Sequence, residues 1–357
     1  MKEKVLHSDL RYIHDALQGE LPGLAGSTIL ITGHAGFLGY YLTMYLLEYA
    51  EELNLQIIAV DNFALRIPSW QVRLDRNPRC KVYAMRVEDI NVESIPNIDD
   101  VNYIFHMASI ASPVYYRRFP LETLLANVQG LERFGNMYME GQLSNLKRMV
   151  VLSSSEIYGN PDPENIPTAE DYAGRVSCTG PRACYDEAKR VCETLCWIYA
   201  NHYQMPVSTV RPFNIYGPGM SIDDKRLPAD LASSVLANRD IEIYSDGAPT
   251  RTFCYIADAV IGMLKVLCYH GNEAFNIGNS SPEITVMQLA QMYRDVGSLL
   301  FGYTGEVVRK THEDPQYLTN NPQRRCPDIT KAVTLLNYQP QISLDEGIRR
   351  YLQYLKD

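Results

Sequence analysis

The chain has 357 residues, 46% of them hydrophobic, with a formal net charge of −9 at pH 7. That length can bury a large core in one large or two intimate domains, and the acidic balance argues against a nucleic-acid or other polyanion-binding surface. Eight scattered cysteines without a CxxC pair read as reduced thiols. The polar start, Met1 to Asp9, does not read as a signal peptide, and no 18-residue apolar run suggests a membrane span. The expectation is a cytoplasmic protein with no membrane or nucleic-acid partner.

In chain order, residues 8–18 read as a short helix capped by Ser8, cut off by Pro22-Gly23 and taken as an appendage covering 1–26. The run Thr28-Ile29-Leu30-Ile31-Thr32 is a strand ending in Gly33, Gly36 and Gly39, and a helix over 38–52 follows. Strand, glycine turn and helix in that order form a dinucleotide-binding βα unit. Gly33 suits the tight turn, Gly36 a close approach to a pyrophosphate, and Gly39 close helix packing. Free N–H groups at the helix start would face the phosphates. The next strand, 56–60, ends at Asp61, where an acid can hold the ribose 2′-hydroxyl of NAD and would repel the 2′-phosphate of NADP.

Strands at 81–85, 101–108, 148–152 and 207–210 alternate with helices at 121–141 and 182–204, which predicts a parallel, doubly wound sheet with ligands beyond the strand C-termini. A helix near 227–238, a hairpin-like stretch at 241–253 and helices near 257–269 and 285–298 then build a smaller capping domain. On this reading 27–215 is the dinucleotide-binding domain, strands from about 250–278 return to it, and 216–357 mainly binds substrate. Tyr185 and Lys189 stand at i and i+4 of the 182–204 helix, on one face. A lysine cation and a positive nicotinamide ring would favour the phenolate of a tyrosine whose free pKa is about 10. His34 and His106 lack metal-ligand company and read as turn and core residues, so no metal is expected. Tyr40, Tyr41, Tyr45 and Tyr49 read as helix packing.

These motifs, with Asp89-Ile90, His106-Met107-Ala108-Ser109, Ser153 to Gly159 and Arg211-Pro212-Phe213-Asn214-Ile215-Tyr216-Gly217-Pro218, resemble the extended short-chain dehydrogenase/reductases that act on nucleotide sugars as epimerases, dehydratases and decarboxylases. Ala111-Ser112-Pro113 with Tyr116, Gly180 to Arg190, and Pro322 to Ile329 look most like the UDP-glucuronate decarboxylase branch. The resemblance implies an α/β fold, a Rossmann-type doubly wound parallel sheet with a smaller C-terminal α/β substrate domain. It implies NAD held by Gly33, Gly36, Phe37, Leu38, Gly39, Asp61, Asn62, Asp89, Ile90, Ala108, Tyr185 and Lys189. Tyr185 would act as the base and Ser154 would hydrogen-bond the sugar 4-oxygen. Glu156 would lie near the substrate carboxyl, with either a proton-transfer or a positioning role. Ser155 stands where 4,6-dehydratases carry an acidic residue. A UDP-sugar would be held by Tyr116, Asn214, Arg251, Arg325 and Arg182, with Arg324 an alternative to Arg325 and a structural pairing open for Arg182. Residues 290–320 match the branch poorly and are expected to shape selectivity. The reaction expected is decarboxylation of a UDP-hexuronate. A 4-epimerase or 4,6-dehydratase is the alternative, and a non-catalytic NAD(H)-sensing protein a further one. A homodimer through helices 121–141 and 182–204 is the assembly the family implies.

Overall fold

The computed structural model describes residues 1–64, 66–311 and 322–356. Its centre is a seven-stranded, all-parallel sheet. Six of its strands are β1 Thr28–Thr32, β2 Gln56–Asp61, β3 Cys80–Ala84, β4 Val101–His106, β5 Arg148–Leu152 and β6 Val207–Pro212. The order runs Ala274–Ile277, β6, β5, β4, β1, β2, β3. The order reverses beside β1, so the crevice beyond the C-terminal ends of β1 and β4 is where a ligand of such a sheet belongs. Helices cover both faces, which is why β5 is buried along its whole length and is apolar from Met149 to Leu152.

The expected helices appear as Phe37–Glu48, Pro120–Met139, Ala183–Tyr203, Leu227–Leu236, Ile256–Cys268 and Val286–Phe301. Two expectations change. The stretch 241–253 is no hairpin: Ile241–Ile243 pairs in parallel with Val307–Arg309. Thr250–Arg251 pairs instead with Ile284–Thr285 and Arg324–Arg325. Gly247, at φ +79°, turns the chain between these two pairings. Of the strands expected to return from 250–278, Ala274–Ile277 joins the main sheet, while Cys254–Tyr255 pairs with Ile215–Tyr216.

The N-terminal helix spans Lys2–Ala16, longer than predicted, and is no appendage. Val5, Leu6, Leu10 and Ile13 enter the same apolar core as Ile29, Tyr41 and Tyr45. Tyr12 donates to Asp258 (2.6 Å) and Lys265 pairs with Glu20 (2.7 Å), fastening this segment to helix Ile256–Cys268. All eight cysteines are free thiols.

Candidate active site

Beyond the ends of β1, β4 and β5 lies a cavity of about 600 Å³. Three structural pieces converge on it: the glycine turn with the start of helix Phe37–Glu48, the end of β5 with helix Ala183–Tyr203, and the small sheet carrying Arg251 and Arg325.

Gly33, Gly36, Phe37, Leu38 and Gly39 line the first side. A Cβ on Gly33, which has φ +75°, would lie 2.8 Å from the Ala108 backbone, and one on Gly39 only 2.2 Å from the Gly33 carbonyl oxygen. Only glycine fits at either position. Gly36 caps the helix with no side-chain bond, so its first N–H groups face outward, as an anion-binding turn requires. Asp61, at the end of β2, accepts the Ala35 N–H (3.0 Å) and the Phe63 N–H (2.8 Å), which sets its carboxylate against the turn. This cradle fits a dinucleotide. Asp61, Asn62, Asp89, Ile90 and Ala108 are not among the cavity-lining residues. Ala108 packs against Gly33, Asn62 is exposed just past β2, Asp89 is exposed at the end of a short 3-10 helix Val87–Asp89, and Ile90 is buried in the core on the sheet's other side.

On the second side, Ser154, Ser155, Glu156, Arg182, Tyr185 and Lys189 all reach the cavity. Lys189 Nζ donates to the Leu152 carbonyl (2.6 Å), and lies 5.7 Å from the centre of the Tyr185 ring. Burial pushes Lys189 down to about 8 and Tyr185 up to about 12. The Ser154 hydroxyl pulls the phenol back down, Glu156 pushes it up, and the cation pulling it down is Arg226. The expected phenolate is therefore a neutral phenol in the protein alone, because burial raises it more than the Ser154 hydroxyl and Arg226 lower it. Tyr116 stacks on Tyr185, with ring centroids 5.2 Å apart and an interplanar angle of 11°. Among the described residues the buried hydroxyls of Tyr116 and Ser109 have no hydrogen-bond partner, and both residues line the cavity.

Glu156 is the surprise. Arg325 grips it with both nitrogens (2.5 and 2.7 Å), and Arg182 bonds the same carboxylate. Burial opposes ionisation, but Arg325 and Arg182 hold this carboxyl well below the usual carboxylate range. Arg325, expected to meet a substrate carboxylate, is thus already paired, and Arg182 is both a cavity residue and a structural partner. Arg182 Nε also lies 3.7 Å from Asp186, whose carboxyl is pushed up to about 7 by burial and by Glu156.

Arg251 donates to the carbonyls of Thr250 (2.7 Å), Gln323 (3.1 Å) and Pro322 (2.5 Å). Burial and neighbouring Arg325 push it down to about 9. Arg324 and Arg325 point to opposite faces of their strand. Arg324 therefore turns away to pair with Glu283 (2.7 Å) while Arg325 lines the cavity. Asn214 lines the cavity, with its amide donating to the Thr252 carbonyl (2.8 Å).

Sequence reading missed Arg226. It bonds Asp224 (2.8 Å), lies over the Phe37 ring at 5.6 Å and lines the cavity. The signal was present in Asp223-Asp224-Lys225-Arg226 ahead of an apolar helix. The described part of 290–320 contributes no lining residue, and its stretch 312–320, with His312-Glu313-Asp314, lies outside the described residues. His34 bonds Gln71 (3.0 Å), and His106 bonds Thr32 (3.0 Å).

The family model described as "NAD dependent epimerase/dehydratase family" matches residues 29–278. The chain is 34% identical over 330 residues to UDP-glucuronic acid decarboxylase 1 of Xenopus tropicalis, covering 92% of this chain and 72% of that one. Among solved structures it resembles an epimerase from Methanothermobacter thermautotrophicus (TM-score 0.80, 24% identity, covering 95% of each chain). It also resembles the UDP-glucuronic acid 4-epimerase of Bacillus cereus solved with UDP-glucuronic acid and NAD (TM-score 0.74, 24% identity, covering 92% of this chain and 99% of that one).

Proposed function

Because this chain belongs to the NAD dependent epimerase/dehydratase family and takes NAD as its cofactor, we propose that it decarboxylates a UDP-hexuronate, with UDP-glucuronate the expected substrate. The observation that carries this reading is the convergence of Arg182, Arg251 and Arg325 on one cavity. Arginine forks suit carboxylate and diphosphate oxygens, and a UDP-hexuronate presents both. The similarity to UDP-glucuronic acid decarboxylases supports it. So does Ser155, which leaves a water-eliminating dehydratase without the acid it would need at that position.

NAD, which the Gly33–Gly39 turn and Asp61 would hold, would supply a hydride acceptor for C4 that is regenerated in place. Its positive nicotinamide would also lower the phenol of Tyr185 toward ionisation. Tyr185 then takes the proton of the 4-hydroxyl, and Ser154 hydrogen-bonds the 4-oxygen as it becomes a carbonyl. That carbonyl is β to the C6 carboxylate. The C5–C6 bond breaks, carbon dioxide leaves, and its electron pair passes into an enolate spread over C5, C4 and the 4-oxygen. After a proton from solvent reaches C5 and the hydride is restored to C4, Tyr185 returns its own proton to the 4-oxygen. Glu156, clamped by two arginines and ionised, positions Arg325 and Arg182 and is a poor proton donor.

The competing reading is 4-epimerisation, since Tyr185 and Ser154 would perform the same first step. Incubation with UDP-glucuronate and product mass analysis separates the two. Loss of about 44 mass units fits decarboxylation and loss of about 18 dehydration, while an unchanged mass with a new sugar means epimerisation. Either of the last two outcomes would replace this reading.

The assembly proposed is a homodimer through helices Pro120–Met139 and Ala183–Tyr203. They pack on each other yet expose Leu121, Val191 and Trp197, the last 60% accessible. Eight free thiols support a reducing compartment such as the cytoplasm.

A further inference from the structure

Asp9 is fully buried on the N-terminal helix, outside the span matched by the family model. Its Oδ2 accepts the hydroxyls of Tyr41 and Tyr255, each at 2.5 Å, and its Oδ1 accepts Arg350 Nη1 at 2.5 Å. A buried carboxylate carries a large desolvation cost and persists where its oxygens are satisfied. Here three donors from three distant parts of the chain satisfy it.

Each donor leads to the cavity within a few residues. Tyr41 is one turn beyond Phe37 on the helix that starts at the glycine turn, and Phe37 lines the cavity. Tyr255 is two residues beyond Phe253, another lining residue, on the strand that follows Arg251. Arg350 adjoins Tyr351, whose hydroxyl donates to the carbonyl of the lining residue Met220 (3.2 Å). The two halves also meet directly: a Cβ on Gly219 would lie 2.5 Å from the Tyr40 ring, so the loop before Met220 rests on the cofactor-side helix.

We propose that Asp9 is a positioning residue, a single carboxylate that fixes the glycine-turn helix against the Arg251–Tyr255 segment and the C-terminal helix Leu344–Lys356, and thereby sets the spacing between cofactor and sugar. Each ligand is gripped by one half, so each binds with Asp9 altered. Transfer between them depends on both halves together, and a displacement of about 1 Å can cost about a hundredfold in rate.

The test compares wild type with Asp9→Asn and Tyr255→Phe, and with Val5→Ala as a control that thins the same helix's apolar face. Hydrogen exchange on the protein without substrate comes first. In Asp9→Asn, protection should fall together in 37–45, 250–256 and 344–352. Loss confined to 2–16 would overturn the proposal. Calorimetry should then find affinities for NAD and for UDP within about twofold of wild type, while kcat falls about tenfold or more. Tyr255→Phe should show a smaller drop of the same kind, and Val5→Ala none. Equal losses of kcat in Val5→Ala and Asp9→Asn would show that the helix merely adds stability, and would sink the idea. Should wild type itself leave UDP-glucuronate untouched, the functional reading fails, and the exchange pattern still decides the role of Asp9.

Discussion

Glu156→Gln tests the electrostatics of the cavity most directly. The substitution keeps shape and one acceptor oxygen but removes the charge between two buried guanidinium groups. At an effective dielectric near 20, a unit charge about 4 Å from another gains roughly 4 kcal/mol, and Glu156 has two such partners. Desolvation offsets much of this. Breaking a buried pair by removing one partner costs about 3–5 kcal/mol, and the surviving amide oxygen argues for the lower end. At roughly 2 °C per kcal/mol for a large domain, Tm should fall by about 6 °C in thermal denaturation. Because the folded-state pKa of Glu156 lies below its ordinary value of 4.5, its stabilisation is complete above that pH and is lost only as pH falls through the depressed value. Asp186, pushed up to about 7 by burial and by Glu156, loses that neighbour in the variant, so the gap between variant and wild type should narrow as pH rises through about 7 and level off above it. A ligand carboxylate can replace the lost charge, so saturating UDP-glucuronate should raise Tm more in the variant than in wild type, and UDP-glucose should not. An unchanged Tm, or equal rises with both nucleotides, would refute the reasoning.

Four further outcomes follow from the same geometry. Tyr185→Phe should retain NAD in equilibrium binding while turnover drops at least about a hundredfold, the scale of acid–base catalysis, and residual activity near wild type would remove Tyr185 from the mechanism. Lys189, at about 8 against an ordinary 10.5, is charged when folded only below that lower value. Stability rises with pH wherever the unfolded chain holds more protons, so denaturant titrations at about pH 7 and pH 10 should find wild type gaining up to about 3 kcal/mol relative to Lys189→Met, and a gap independent of pH would contradict the buried cation. Gly39→Ala places a methyl 2.2 Å from the Gly33 carbonyl oxygen, so NAD affinity measured by calorimetry should fall more than tenfold, about 1.4 kcal/mol; undiminished binding would mean that the turn is not the cofactor cradle. Trp197→Asp should convert a dimer to a monomer in sedimentation, and a monomeric wild type would dismiss the interface.

How much of this was legible in the sequence follows the range of the interactions. The glycine turn was readable residue by residue because its logic is local: a positive φ at Gly33 and a methyl-excluding contact at Gly39 constrain residues a few positions apart. Tyr185 and Lys189 were placed by helical spacing alone, but their ionisation was not, since it depends on burial and, for Tyr185, on Ser154 and Arg226, 31 and 41 positions away. Asp9 shows the other extreme. An acid on an amphipathic helix reads as a solvated face, and its partners stand 32, 246 and 341 positions away. No periodicity carries that information. The stretch 241–253 failed for a related reason, because its partners come from 284–285, 307–309 and 324–325 rather than from itself.

The same distinction bears on how an acidic protein can hold an anionic sugar nucleotide. Arg182, Arg251 and Arg325 are faced by Glu156 and Asp186, and Asp186 is pushed up to about 7, so the pocket is cationic although the chain is not. Arg251 pays for this arrangement, pushed down to about 9 by burial and by Arg325. At neutral pH it stays charged, so the cost of its burial and of Arg325 beside it is not relieved by proton release, and an entering diphosphate or carboxylate would offset part of it. On the proposed reading the anion-holding Arg251 and Arg325 sit on the small sheet, while Arg182 caps helix Ala183–Tyr203, close to Tyr185, and shares Glu156 with Arg325. Substrate holding and C4 chemistry are therefore coupled through Glu156, which pairs with the arginines and also pushes the Tyr185 phenol up.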